Sequence, residues 1–352
     1  MPPRLIALRP LRHECHLCGT CCQGWRVHLV SHEEEAKIAA QAAELGVTDP
    51  MMPDTPRPDG KPNYKMLRSH EGRCVFLSDE KRCRIHERWG IEEKPLVCRQ
   101  YPRRVTLTED GLRIGIDPTC SSVDRSWIDG PEIQPLVGMR SDAMLDATLA
   151  ASENALLGLV LQPDMTVARF VNIITGSPTL DDELPVAFVA RVIAALRVAN
   201  LPPMLEDPEL GPEMRWRLAP VAELLKTLDP TQPPTWAGAL TPMRDAFALE
   251  LLRRHLFLRL GDQMLPPIAQ TLLVVMGIML CAWSDPIGDY FGTTLSCWMR
   301  IIRFRNAWAS IMPETETARW LLSGDGVAPT ASRTASGAAD PGEAAPPAPE
   351  HT

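Results

Sequence analysis

Apolar positions recur with helical spacing through most of the chain beyond residue 135 and only sporadically before it. That spacing predicts helices near 143–158, 166–175, 183–198, 218–227, 242–259, 268–283 and 294–311. The clearest is TPMRDAFALELLRRHLFLRL, in which Thr241 can cap, Pro242 suits the first turn and Gly261 follows the end. Residues 268–283 are the one transmembrane candidate, yet they are interrupted by Gln270 and Thr271 and fall short of the roughly 20 residues of a bilayer span. Pro266-Pro267 before them and Asp285-Pro286 after them mark a buried core helix. Cys281 and Cys297 lie in such apolar helical sequence and are expected in the core.

The first third follows another pattern. SHEEEAKIAAQAAELG predicts one helix, with Ser31 as cap, Glu34 completing a capping box and Gly46 as the stop. Glu33, Glu34 and Glu35 then form a first turn near the positive end of the helix dipole rather than a carboxylate site. Residues 49–65 read as Pro-rich loop, and short strands are expected around 72–77 and 105–116, the second broken by a hairpin signal at Asp110-Gly111. From residue 323 the chain lacks the apolar side chains that would offset the entropy of ordering it. The expected fold is mainly α: a loop-rich cysteine-cluster metal-binding region (1–130), an α-helical domain (131–322) and a disordered Pro/Ala-rich tail (323–352).

Composition narrows the classes. Aromatics are 5% of the 352 residues against 34 Pro and 22 Gly, which disfavours an aromatic-rich sandwich. The net charge of −8 argues against a nucleic-acid partner. Residues 1–130 carry 20 Lys and Arg against 19 Asp and Glu, so the acidity belongs to the helical part. The first residues, MPPRLIALRPLRHEC, contain no apolar run of signal-peptide length, and a cytoplasmic protein without membrane association is expected.

Cysteine carries the chemistry. Eight of the ten, Cys15, Cys18, Cys21, Cys22, Cys74, Cys83, Cys98 and Cys120, fall in the first 120 residues. In a reducing compartment such clustering points to metal rather than disulfides. Cys15 to Cys22 form a C-x2-C-x2-C-C motif, in which Gly19 gives the backbone freedom to bring sulfurs to one ion. Three evenly spaced thiols also match the opening of a ferredoxin cluster motif, with the fourth ligand to come from afar. Eight thiols suffice for two four-cysteine sites, and the pairing stays open. Adjacent Cys21 and Cys22 are expected to point apart. Among His13, His16, His28, His32, His70 and His86, each a candidate for an outer role, His86 stands first because it follows Cys83 closely. Arg99, Arg103 and Arg104 flank Tyr101 after Cys98 and suit either an anionic group or a salt-bridged turn. His255, on a helix beside Arg253 and Arg254, reads as a solvated-face residue.

Cys15–Cys22, then GRCVFLSDEKRCRIHERWGIEEKPLVCRQYPRRV, then Asp117-Pro118-Thr119-Cys120, resemble the cysteine-cluster family of zinc- or iron-chelating domains. Within it the order of motifs is most similar to the flagellin lysine-N-methylase family, and Trp25 in CCQGW also fits that branch. The resemblance spans residues 12–122. It implies an iron–sulfur cluster, 4Fe-4S foremost, or zinc, with S-adenosylmethionine as methyl donor and a protein substrate such as flagellin. Lysine methylation needs a neutral amine and hence a nearby base or desolvating wall. Tyr64, Tyr101, Tyr290 and Asp289 are candidates for it, and none is assigned as catalytic. A non-enzymatic metal module and a redox protein are the alternatives.

Overall fold

The computed structural model describes residues 4–24, 27–52, 64–134, 141–142, 147–177, 182–260, 265–284, 290–304 and 315–325. Trp25, Asp289, the first residues (143–146) of the helix expected over 143–158, residues 305–311 and the tail beyond 325 lie outside the described residues.

The chain opens with strand β1 (Leu5–Ala7), then helix α1 (His32–Glu44), the hairpin β2 (Ser69–His70) and β3 (Arg73–Cys74), and the short helices α2 (Arg84–Trp89) and α3 (Leu96–Gln100). Next come β4 (Arg103–Thr108), β5 (Gly111–Ile116), α4 (Val123–Ser126) and β6 (Ser141–Asp142). The helical part follows as α5 (Ala147–Val160), α6 (Val167–Ile174), α7 (Val186–Ala199), α8 (Pro202–Leu205), α9 (Pro212–Thr227), α10 (Pro242–Phe257), α11 (Pro267–Ser284), α12 (Phe291–Phe304) and α13 (Thr315–Ser323). The mainly helical class with a loop-rich first third is what the pattern predicts.

Caps form as the residue types dictate. Ser31 accepts from the Glu34 amide at 3.1 Å, and Thr166 from that of Arg169 at 3.1 Å. Two of the three first-turn glutamates of α1 do more than favour a dipole. Glu34 accepts from the amides of Val30 (2.8 Å) and Leu96 (2.6 Å), and Glu35 from that of Lys65 (2.7 Å), so the first turn staples three loops to the helix. Helix α9 starts six residues ahead of its expected beginning at 218, because Pro212 takes a first-turn position and Pro220 is carried within the helix.

The helical core centres on α11, which packs against α5, α9, α10 and α12. It is the one described helix long and apolar enough to cross a membrane by length and composition, and it is mostly buried among these neighbours. Trp298 of α12 is seated on Gly277 and donates its indole N–H to the Leu273 carbonyl at 3.0 Å. Cys281 and Cys297 are fully buried, as expected of core thiols.

One sheet, ordered β1-β5-β4-β6, rests on α10. Its centre is the predicted hairpin at Asp110-Gly111, antiparallel with Thr108 opposite Gly111, and β1 and β6 add parallel strands at its edges. Thr106 Oγ1 donates to the Leu258 carbonyl at 2.6 Å, and Arg9 pairs with Glu250 at 3.3 Å. The solvated reading of His255 does not hold, since within the packed helix α10 it is only 6% exposed.

A second, smaller core gathers Val27, Leu29, Ile38, Ala42, Leu67, Phe76 and Ile85. Cys74, Cys83 and Cys98 pack against it.

Candidate metal centre

Gly19 has φ +69°, the left-handed conformation that opens a 3-10 turn over Thr20–Cys22. A Cβ there would also press on Lys81. The turn brings the sulfurs of Cys21 and Cys22 to 3.8 Å, where the sequence reading has them diverge. With metal–sulfur bonds of about 2.3 Å, two thiolates on one tetrahedral ion sit about 3.8 Å apart. Adjacent cysteines thus stand at the spacing of shared ligands, because a 3-10 turn, unlike an extended strand, does not send neighbours to opposite sides.

From this turn the thiols run in two directions. On one side Cys22 faces Cys21, Cys74 and Cys98, with Cys83 beside Cys74 and Cys98. Burial pushes Cys74 up to about 12 and raises Cys98 as well, with Lys94 partly opposing. The hydrogen bond between Cys21 and Cys22, in which either thiol can donate, drives Cys22 well up and Cys21 down to about 6, burial notwithstanding. Lys94 is raised despite burial, because the thiols of Cys98, Cys21 and Cys83 surround it. On the other side Cys18 accepts from Thr20 Oγ1 at 3.2 Å, and Cys120 lies 3.4 Å from His13 Nε2 and faces Cys21 and Cys18. Burial holds Cys120 up at about 12. Cys15, the exposed member, faces Cys21 and Cys18.

Five of the predicted thiols, Cys15, Cys22, Cys74, Cys98 and Cys120, are therefore within electrostatic reach of Cys21, with Cys18 near Cys15 and Cys120, and Cys83 near Cys74 and Cys98. Among the described residues, no three His, Cys, Asp or Glu side chains are already drawn together as a group able to hold an ion. The donor chemistry nevertheless suits zinc or iron: soft sulfur, partly dry, with Lys94 as counter-charge. Isolated thiols in such surroundings resist ionisation, and a bound cation removes that resistance.

His13, not His86, is the histidine that touches a thiol. His86 occupies the exposed face of α2, whose inward position is taken by Ile85. His16, His28, His32 and His70 are exposed as well. Burial, followed by Arg103, lowers His13 to about 4, so it meets Cys120 as a neutral ring. Arg99 pairs with Glu92 at 3.3 Å and Arg103 donates to the Gln134 carbonyl at 3.0 Å, which makes them turn braces. Tyr64 packs edge-on against His32 and Tyr290 against Trp216. Tyr101 is a packed phenol within reach of Thr119 Oγ1 (3.4 Å), and burial raises its pKa well above the ordinary value.

Sequence reasoning passes over Arg300. It is 1% exposed, and its Nη1 donates to the carbonyls of Thr20 and Gln23 (3.3 Å) and reaches Met214 Sδ (3.6 Å). Its Nη2 donates to the Thr119 carbonyl (2.8 Å) and Tyr101 Oη (3.3 Å). Burial works against its charge, but Tyr101, Cys297, Cys21 and Cys120 outweigh that, and the net shift is upward.

Residues 14–121 match the CxxCxxCC family model, described as "Putative zinc- or iron-chelating domain". The matched segment includes all eight thiols. A relative from Methanocaldococcus jannaschii, the uncharacterized protein MJ0939, is 25% identical over 154 residues, covering 43% of this chain. The match spans 51% of that relative's length. No solved structure matches the chain.

Proposed function

We propose that the chain is a cytoplasmic metal protein whose eight N-terminal thiols hold an iron–sulfur cluster or zinc, and that this centre belongs to a protein lysine N-methyltransferase. The observation that carries the metal reading is the convergence of thiols from four separate segments on the Cys21–Cys22 turn, with those two sulfurs 3.8 Å apart. A sulfur-only donor set selects zinc or iron over hard cations. The residues that would hold metal are Cys22, Cys74, Cys83 and Cys98, near Lys94, and Cys15, Cys18 and Cys120 across the turn, with Cys21 between. When bound, the metal would supply folding free energy and, as iron–sulfur, an electron-transfer capacity.

The methyl-transfer reading rests on the resemblance of residues 12–122 to the flagellin-modifying family. Room for a cofactor is available in a cleft of about 590 Å³ between the start of α6 and α10, lined by Met165, Trp236, Asp245 and Arg253 among others. That volume lies in the ordinary range for small-molecule sites. S-adenosylmethionine is the cofactor and a protein such as flagellin the substrate.

The deciding experiment is metal, acid-labile sulfide and visible absorption analysis of protein purified without oxygen, followed by S-adenosylmethionine titration and intact mass of flagellin. Iron with sulfide, cofactor binding and mass added in whole methyl units are expected. Colourless zinc protein that binds no S-adenosylmethionine would leave a structural metal module and end the methylase reading.

A further inference from the structure

Arg300 is seated where three thiol-bearing segments meet. The carbonyls it engages belong to the residue before Cys21 (Thr20), the residue after Cys22 (Gln23) and the residue before Cys120 (Thr119). Its second nitrogen also reaches the phenol of Tyr101, three residues past Cys98. One guanidinium from α12 thus fixes the separation of the Cys21–Cys22 turn from the Cys120 loop. Arginine suits this because its planar fork spreads donors over a wide angle while keeping a charge that weak hydration makes cheaper to bury than an ammonium.

The charge has its own consequence. A four-thiolate site on a divalent ion carries net negative charge, and a buried net charge needs compensation nearby. Lys94 flanks the Cys22, Cys74, Cys83 and Cys98 side; Arg300 flanks Cys21 and Cys120. Both cations therefore reach Cys21, Lys94 together with Cys22, Cys83 and Cys98, and Arg300 together with Cys120.

We propose that Arg300 is a positioning residue of the metal centre: through it, helix α12 ties the Cys21–Cys22 turn to the Cys120 loop and supplies positive charge to the thiolates at their junction. This rests on the metal-centre reading above. Metal binding in the first third is then coupled to the helical part, because the residue that braces the ligand loops belongs to α12.

The test uses Co²⁺ as probe, added to full-length, metal-stripped protein without oxygen and followed by the sulfur-to-cobalt charge-transfer absorption. Arg300→Met is expected to weaken Co²⁺ binding by about 10- to 100-fold and move the absorption band, and Arg300→Lys, which keeps charge without the fork, to recover part of the affinity. Arg113→Met is the control, since Arg113 is 3% exposed but bonds Asp110 and Asn154 away from the thiols. It should lower the melting temperature and leave Co²⁺ affinity unchanged. Equal Co²⁺ loss in both methionine variants, or wild-type affinity and spectrum in Arg300→Met, would overturn the proposal. Should Arg300→Met not fold, hydrogen exchange on wild-type protein decides: Co²⁺ is expected to slow exchange of the amides of 291–304, and no change there overturns the coupling. Wild-type protein that binds no Co²⁺ removes the metal-centre reading itself, and the proposal with it.

Discussion

The region of α1, the β2–β3 hairpin, α2 and α3 and the helices from α5 onward differ in what holds them. The first has a core of seven buried apolar side chains, of which Phe76 is the largest, with glutamate staples and half-buried thiols around it. The second buries whole helices, α11 along nearly its entire length. Apolar burial contributes roughly 25 cal/mol per Å², so the helical part is stabilised by area alone, whereas the thiol region has little area to draw on. A small domain in that position is commonly completed by metal or disulfides. A chain can therefore carry a self-sufficient half and a conditional half side by side.

The sharpest way to break this comparison is to remove metal. A strong chelator should open residues 14–121 to protease while a fragment containing 147–304 survives, since structural zinc in small domains contributes about 10 kcal/mol or more. Simultaneous loss of both regions would show that they fold as one unit. Trp298→Ala attacks the other half. It removes a fully buried indole and its bond to the Leu273 carbonyl, and should cost about 3–5 kcal/mol in urea unfolding.

The junction comes next in size. Gly72 has φ +70°, and a Cβ there would collide with the backbone of Glu209 and Gly211 just ahead of α9. Gly72→Ala should cost roughly 2–4 kcal/mol from strain and overpacking together, read by thermal unfolding. The smallest effect is electrostatic. Arg259, bonded to Glu109 at 2.6 Å, lowers that carboxylate to about 2. A depressed carboxylate stabilises the fold above its unfolded pKa and loses this as pH falls from about 4.5 towards 2. Because Glu109 is 42% exposed, solvent screening reduces the effect. Glu109→Gln should cost about 1 kcal/mol at pH 7 and nothing near pH 2, measured as melting temperature against pH.

The helices and the β4–β5 hairpin were legible because their signals are local: Thr241 and Ser31 cap as read, and Asp110-Gly111 turns as read. Cysteine clustering was legible for the same reason, through spacing alone. What was not legible depends on tertiary contact. His255 has polar neighbours in sequence, and only the elements packed around α10 bury it. His86 follows Cys83 closely but faces outward, while His13, 107 residues from Cys120, is the one that meets a thiol. Arg300 lies in FGTTLSCWMRIIRF, where it and Arg303 read as the polar edge of an amphipathic helix. Nothing within that segment shows that its acceptors are carbonyls from two distant loops.

The distance along the chain between Thr20 and Arg300 sets a clock. Their contact spans 280 residues, and chains emerge from ribosomes at about 5–20 residues per second. The Cys15–Cys22 segment is thus made on the order of tens of seconds before the arginine that braces it exists. During that interval the nascent thiols meet the metal pool of the cell without their brace, so the ion captured first is governed by local supply and exchange rate, and selection by the finished architecture comes afterwards.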